Sequence, residues 1–198
     1  MLFSRRFLLA LVPAAAALPV VAHAADEDPK AERSVGKPDA KVTVQEFFSL
    51  TCTHCAAFGQ GTFQQIKTNL IDTGKVRWVF RDYPLDQTAL LAAQVARYLP
   101  VDRYLPFIDA LFATQNRWAF NRGNNPTEEL WKTAALAGMS RATFDKAISD
   151  SGLRSWILEQ QQADTNKFKI DSTPSFVIDG QKYSGEMSYE AFRKLIPS

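Results

Sequence analysis

Over residues 42–50 the chain alternates: Val42, Val44, Glu46 and Phe48 share one parity, while Thr43, Gln45 and Phe47 share the other. Period-two alternation predicts a strand, and apolar residues on both parities predict one covered on both faces. Past Thr53 the period lengthens, with Phe58, Phe63, Ile66 and Leu70 marking a helix that Gly59 and Gly61 are placed to bend. Gly74 ends it, and KVRWVFRDY predicts the next strand. Strand, helix, strand is the opening of a parallel α/β unit, because parallel neighbours need a crossover connection.

From residue 86 the pattern is helical. DQTALLAAQVARYL, VDRYLPFIDALFATQ, TEELWKTAALAG, SRATFDKAIS and SGLRSWILEQQQADTNKF read as helices, several opened by Asp, Thr or Ser, whose side chains cap free N–H groups. NRWAFNRGNNP reads as a loop between two of them. Strand character then returns, with a strand at 176–178, a turn at Asp179-Gly180, a short strand near Tyr183 and a final helix capped by Ser188. The expected fold class is therefore α/β, one domain built from 41–85 and 170–198 and interrupted by an all-helical insertion at 86–169. Residues 25–40, polar and carrying Pro29, Gly36 and Pro38, read as a flexible N-terminal segment.

The first 24 residues belong to none of these units. Arg5-Arg6, an apolar run over 7–22 broken by Pro13 and Pro19, and AHA ending at Ala24 follow the order of a cleaved secretory signal peptide. The run is short for a membrane span and holds two prolines. SRRFL also resembles the twin-arginine export motif, one residue short of its usual spacing. Either route implies a periplasmic protein.

Export changes how charge reads. Two of the 23 Lys and Arg, Arg5 and Arg6, lie in the signal, whereas all 21 Asp and Glu follow it, so the exported chain is close to neutral. With no basic cluster, nucleic acid is not an expected partner. Of the two histidines His23 leaves with the signal, and His54 remains between the only cysteines, Cys52 and Cys55. Ser/His/Asp catalysis would need that histidine and would leave the cysteines unexplained.

Four readings of Cys52-Thr53-His54-Cys55 compete. A zinc site wants four ligands, and with no other Cys or His carboxylates would have to complete it, so no metal is expected. A structural disulfide across so short a loop would constrain the unfolded chain little. Unpaired thiols suit an oxidising compartment poorly. A redox dithiol suits it well: at a helix N-terminus, free N–H groups and the helix dipole stabilise a Cys52 thiolate, to which His54 can add charge or a hydrogen bond. A stabilised thiolate makes the disulfide readily reduced and the protein an oxidant.

With EFFSLTCTHC, STPSFVIDGQKYSG and the helical block between them, the chain resembles the DsbA-like thiol:disulfide interchange proteins, which have a thioredoxin-like fold with a helical insertion. The resemblance covers nearly all of the chain after residue 24. It implies that Cys52 is the exposed nucleophile and Cys55 the buried resolving cysteine. It also makes Pro174 the cis-proline lying against them and Thr173 the variable residue whose backbone pairs with substrate. Glu46 falls where these proteins keep a buried acid, suited by a raised pKa to shuttle the proton of Cys55. Arg81 is a weaker candidate to pair with Glu46. Thr53-His54 departs from the Pro-His pair of strongly oxidising relatives but keeps the histidine.

The implied activity is a periplasmic thiol:disulfide oxidoreductase, acting as a monomer that donates its disulfide to exported proteins with free thiols. It needs no bound cofactor beyond the redox-active disulfide Cys52–Cys55, and a DsbB-type, quinone-linked membrane partner would reoxidise it. The alternatives are a reductase or disulfide isomerase of the same fold, or a non-catalytic thioredoxin-like binding module or holdase.

Overall fold

A computed structural model describes residues 27–197. The signal peptide expected at 1–24 and the start of the 25–40 segment lie outside the described residues. Strand β2 (Val42–Phe48) forms over the alternating stretch, with Val42, Val44, Glu46, Phe47 and Phe48 all buried. It runs parallel to β3 (Val76–Asp82), with Val44 opposite Trp78 and Glu46 opposite Phe80. On its other side it pairs antiparallel with β4 (Ser175–Ile178), which pairs in turn with β5 (Gln181–Ser184). Asp179 and Gly180 between those two strands have φ of 49° and 81°, the left-handed pair that a two-residue hairpin turn requires.

The structure differs from the sequence reading at the N-terminal segment. Arg33–Val35 forms a strand, β1, antiparallel to β3, which gives a five-stranded sheet of order β1-β3-β2-β4-β5. Arg33 is buried and donates from Nη2 to the carbonyl of Arg97 at 2.7 Å. Three residues carry too little alternation to reveal a strand, and an arginine is counted as surface by type.

The first crossover is broken as its glycines predict. Helix α1 (Thr53–Gln60) stops at Gly61, whose φ and ψ of −115° and −88° are non-helical. Helix α2 (Thr62–Ile66) follows and runs into a π-helical turn, Lys67–Ile71. Gly59 is needed for close approach, since a Cβ there would lie 3.0 Å from the ring of Phe112.

Between β3 and β4 the chain is helical: α3 (Gln87–Arg97), α4 (Val101–Ala113), α5 (Gln115–Trp118), α6 (Pro126–Leu136), α7 (Arg141–Ser149) and α8 (Ser151–Phe168). Asp86, Asn125, Ser140 and Asp150 cap α3, α6, α7 and α8 by accepting from first-turn N–H groups. Helix α5 occupies part of the stretch read as a loop, because four residues are too few to show a period. A short helix α9 (Tyr189–Arg193), capped by Ser188, packs back on the sheet. Among the described residues no helix is long and apolar enough to cross a membrane.

One core joins sheet and helices through Trp78. Its ring lies 5.2 Å from that of Phe63, 5.5 Å from Phe192, 5.9 Å from Phe176 and 6.2 Å from Phe58, centroid to centroid, so α2, α9, β4 and α1 meet on one indole. On the opposite face Arg81 makes a bidentate pair with Asp164 of α8, its Nη2 lying 2.8 Å from both oxygens. Arg81 therefore does not partner Glu46. Glu46 is level with Phe80, so the next residue on β3 points to the other side of the sheet.

Candidate active site

The turn from β2 into α1 positions both sulfurs. Cys52 is the N-cap of α1, with φ and ψ of −80° and 119°, and its Sγ accepts the Cys55 N–H at 3.3 Å. Both cysteines are thiols. Cys52 retains 8 % of its surface and Cys55 none, so Cys52 is the more accessible residue of the two. The Thr173–Pro174 bond is cis, and the Thr173 carbonyl accepts the Cys52 thiol at 3.3 Å. Sequence-distant Thr173, joined to Pro174 by that cis bond, thus meets Cys52.

The two thiols are pushed in opposite directions. Cys52 falls to about 5, chiefly through hydrogen bonding from the Cys55 thiol, aided by Thr173 and by the backbone N–H groups of Cys55 and His54, with burial opposing. Burial drives Cys55 far upward, and its bond to Cys52, the Cys52 charge and the nearby Glu46 carboxylate add to this. The Thr173 hydroxyl is buried and has no hydrogen-bond partner among the described residues, which leaves it available to a Cys52 thiolate. Glu46 rises to about 7 because it is buried, against the opposing hydrogen bond from Trp78 Nε1 at 2.9 Å.

The residues between the cysteines face outward. Thr53 is exposed, and the His54 side chain, 68 % exposed, sets Nδ1 3.1 Å from Glu186 Oε1. It is the backbone of His54, rather than its ring, that favours the Cys52 thiolate.

Sequence reasoning missed the places of Trp78, Glu186, Asp86 and Gln115 at the site. Asp86 accepts from Thr51 Oγ1 at 2.7 Å while capping α3. Gln115 Nε2 donates to the carbonyls of Leu50 at 2.9 Å and Cys52 at 3.0 Å. The alternation of β3, which puts Trp78 beside Phe80 in parity, and the cap position of Asp86 ahead of α3 were the signals available, and neither pointed to the site. Among the described residues no cluster of three or more His, Cys, Asp or Glu is arranged to hold a metal. An open cleft of about 680 Å³ on the insertion, lined in part by Tyr98, Arg103, Met139 and Lys146, contains none of the site residues.

Comparison with known proteins adds relatives to this geometry. The thioredoxin family model matches residues 28–198. A putative protein-disulfide oxidoreductase of Rickettsia bellii is 29% identical over 147 residues, 74% of this chain and 56% of that protein. The chain spans about half the length of the Rickettsia relatives it matches. Disulfide bond formation protein D of Bacillus subtilis is 24% identical over 178 residues, 84% of this chain and 76% of that one. Among solved structures, alpha-DsbA1 of Wolbachia pipientis superposes with a TM-score of 0.77 at 30% identity, over 83% of this chain and 88% of that one. BdbD of Bacillus subtilis, at TM-score 0.72 and 21% identity over 83% and 90%, shares the fold.

Proposed function

The chain belongs to the thioredoxin family, in its DsbA-like branch, and on that premise we propose that it is a periplasmic oxidoreductase donating the Cys52–Cys55 disulfide to exported proteins with free thiols. The observation that carries the reading is the split between the two sulfurs, Cys52 held near 5 and Cys55 driven up beside it. A substrate thiolate attacks Cys52 Sγ, the Sγ–Sγ bond breaks, and Cys55 takes the electron pair. Cys55 leaves badly unless protonated, and Glu46, poised near 7, supplies the proton. A second substrate thiolate then attacks the substrate sulfur of the mixed disulfide and expels Cys52 as a stable thiolate. Substrate gains one disulfide, and the protein ends as a dithiol with both electrons. The low pKa of Cys52 makes this last departure fast and the protein oxidising.

Thr173, whose carbonyl lies at the Cys52 sulfur, and Pro174 after it are the expected contact for the substrate backbone. Localisation follows from the signal-like segment at 1–24. Returning the dithiol to the disulfide needs an electron acceptor, for which a DsbB-type membrane partner fits. The redox equilibrium with glutathione tests the reading. An oxidant lies well to the oxidising side of the cytosolic glutathione poise of roughly −220 to −260 mV. A value near thioredoxin, about −270 mV, would make the protein a reductase.

A further inference from the structure

We propose that Gln115 is a positioning residue for the Cys52 nucleophile, an amide reaching out of the helical insertion to set the turn on which the thiolate is stabilised. The inference rests on the dithiol reading of the site. Gln115 is buried, and its single Nε2 spends both hydrogens on that turn, one on the Leu50 carbonyl at 2.9 Å and one on the Cys52 carbonyl at 3.0 Å. The Cys52 carbonyl also accepts the Ala56 N–H at 3.1 Å, the first helical bond of α1, so the amide grips the peptide unit at which the helix begins. Leu50 and Cys52 flank Thr51, which the insertion holds a second time through Asp86.

The amide is itself fixed. Gln115 opens α5, whose Trp118 is buried and donates from Nε1 to the Leu111 carbonyl at 2.8 Å, and Thr114 bonds the Ala110 carbonyl at 2.7 Å. The donors that favour the Cys52 thiolate include the N–H groups of His54 and Cys55, on the peptide units immediately after the one Gln115 holds. Hydrogen bonds weaken steeply as they bend, so a small rotation of the Cys52 carbonyl carries those N–H groups off the sulfur. A buried glutamine that merely satisfied two loop carbonyls would support the fold and leave the sulfur unaffected.

The test is the titration of Cys52 in the reduced full-length protein, followed by thiolate absorbance and by alkylation rate against pH. Gln115→Met keeps length and bulk and removes both donors. It is expected to raise the Cys52 midpoint by roughly half a unit or more, about threefold less thiolate on the rising limb, and to move the glutathione equilibrium toward the disulfide form. Gln115→His, with one N–H to give, is expected to lie between. A folded Met variant with an unchanged Cys52 titration overturns the proposal, even if it unfolds at lower urea. Should the Met variant not fold, the His variant decides by the same titration. Wild-type Cys52 titrating as an ordinary thiol would instead sink the functional reading, so the two failures are distinct.

Discussion

The Cys52 sulfur lies 3.3 Å from the carbonyl oxygen of Thr173, a residue 121 positions further along the chain. A carbonyl oxygen is an acceptor, so this contact suits the thiol and opposes the thiolate. Ionisation near pH 5 therefore depends on donors that outweigh it: the Cys55 thiol, the Thr173 hydroxyl and the first N–H groups of α1. Thr173 thus acts on the sulfur in both senses, through its backbone and through its side chain.

Thr173→Val removes the hydroxyl and keeps the shape and the carbonyl. The Cys52 midpoint is expected to rise, because one donor to the thiolate is gone. In the oxidised form stability is expected to hold or improve slightly, since the hydroxyl is buried without a partner among the described residues, whereas the reduced form loses stability at neutral pH in step with the rise of the Cys52 midpoint. Alkylation rate against pH and urea unfolding of the same samples check both halves. A Cys52 midpoint that stays in place would leave the backbone donors and Cys55 to account for the whole shift.

The reduced protein should gain stability over the oxidised one as pH rises from about 5 to about 8.5. Cys52 has a folded pKa near 5 against an unfolded value of about 8.5, so its contribution is complete above 8.5 and disappears as pH falls through 5. At pH 7 it is on the order of 2 kcal/mol after allowance for partial solvent screening. Cys55 has the opposite sign: its raised folded pKa keeps it protonated, so the reduced form loses ground above about pH 8.5. Urea midpoints of both forms at pH 4, 7 and 9 measure the difference; a flat difference would mean that Cys52 is not held as a thiolate.

Glu46 brings a pH dependence of its own to the dithiol form. Its folded pKa, raised to about 7 from an unfolded value near 4.3, contributes stability below about pH 4.3 that is lost as pH rises through 7. Glu46→Gln cannot ionise, and its side-chain oxygen can still accept from Trp78. The variant is expected to match wild type at pH 4 and to exceed it by roughly 2–4 kcal/mol at pH 8, while exchanging disulfides more slowly near neutrality. Equal stabilities at pH 8 would show that Glu46 is not sealed from water.

These expectations draw unequally on the sequence. The strands β2 and β3, the helical block and the cysteine pair are legible because each writes a local pattern: a period, a cap or a spacing. Pro174 and Thr173 are legible only through family resemblance, since nothing local places them against residue 52. Glu46 was readable by parity, yet its partner was misjudged: Arg81 is one residue past Phe80 on β3 and so faces α8 and Asp164. Asp86 was legible as the cap of α3 but not as the acceptor of the Thr51 hydroxyl, and Gln115 left no trace, because a polar side chain that bonds a distant backbone looks in sequence like any surface residue. The same holds for Arg33, whose burial depends on the edge strand it helps to form.

His54→Ala separates the sequence expectation from the arrangement in the structure. The pattern between the cysteines predicts that the imidazole assists the Cys52 thiolate. In the structure the ring is mostly exposed and pairs with Glu186 at 3.1 Å, whereas it is the backbone of His54, unchanged by this substitution, that favours the thiolate. Removing the ring is therefore expected to leave the Cys52 midpoint much closer to 5 than to the ordinary thiol value of about 8.5. Stability should change by less than about 1 kcal/mol, as for other exposed side-chain pairs. Alkylation rate of the reduced variant against pH is the measurement. An upward move of more than about one unit would place the imidazole in direct contact with the sulfur and overturn the assignment of the shift to Cys55, Thr173 and the helix backbone.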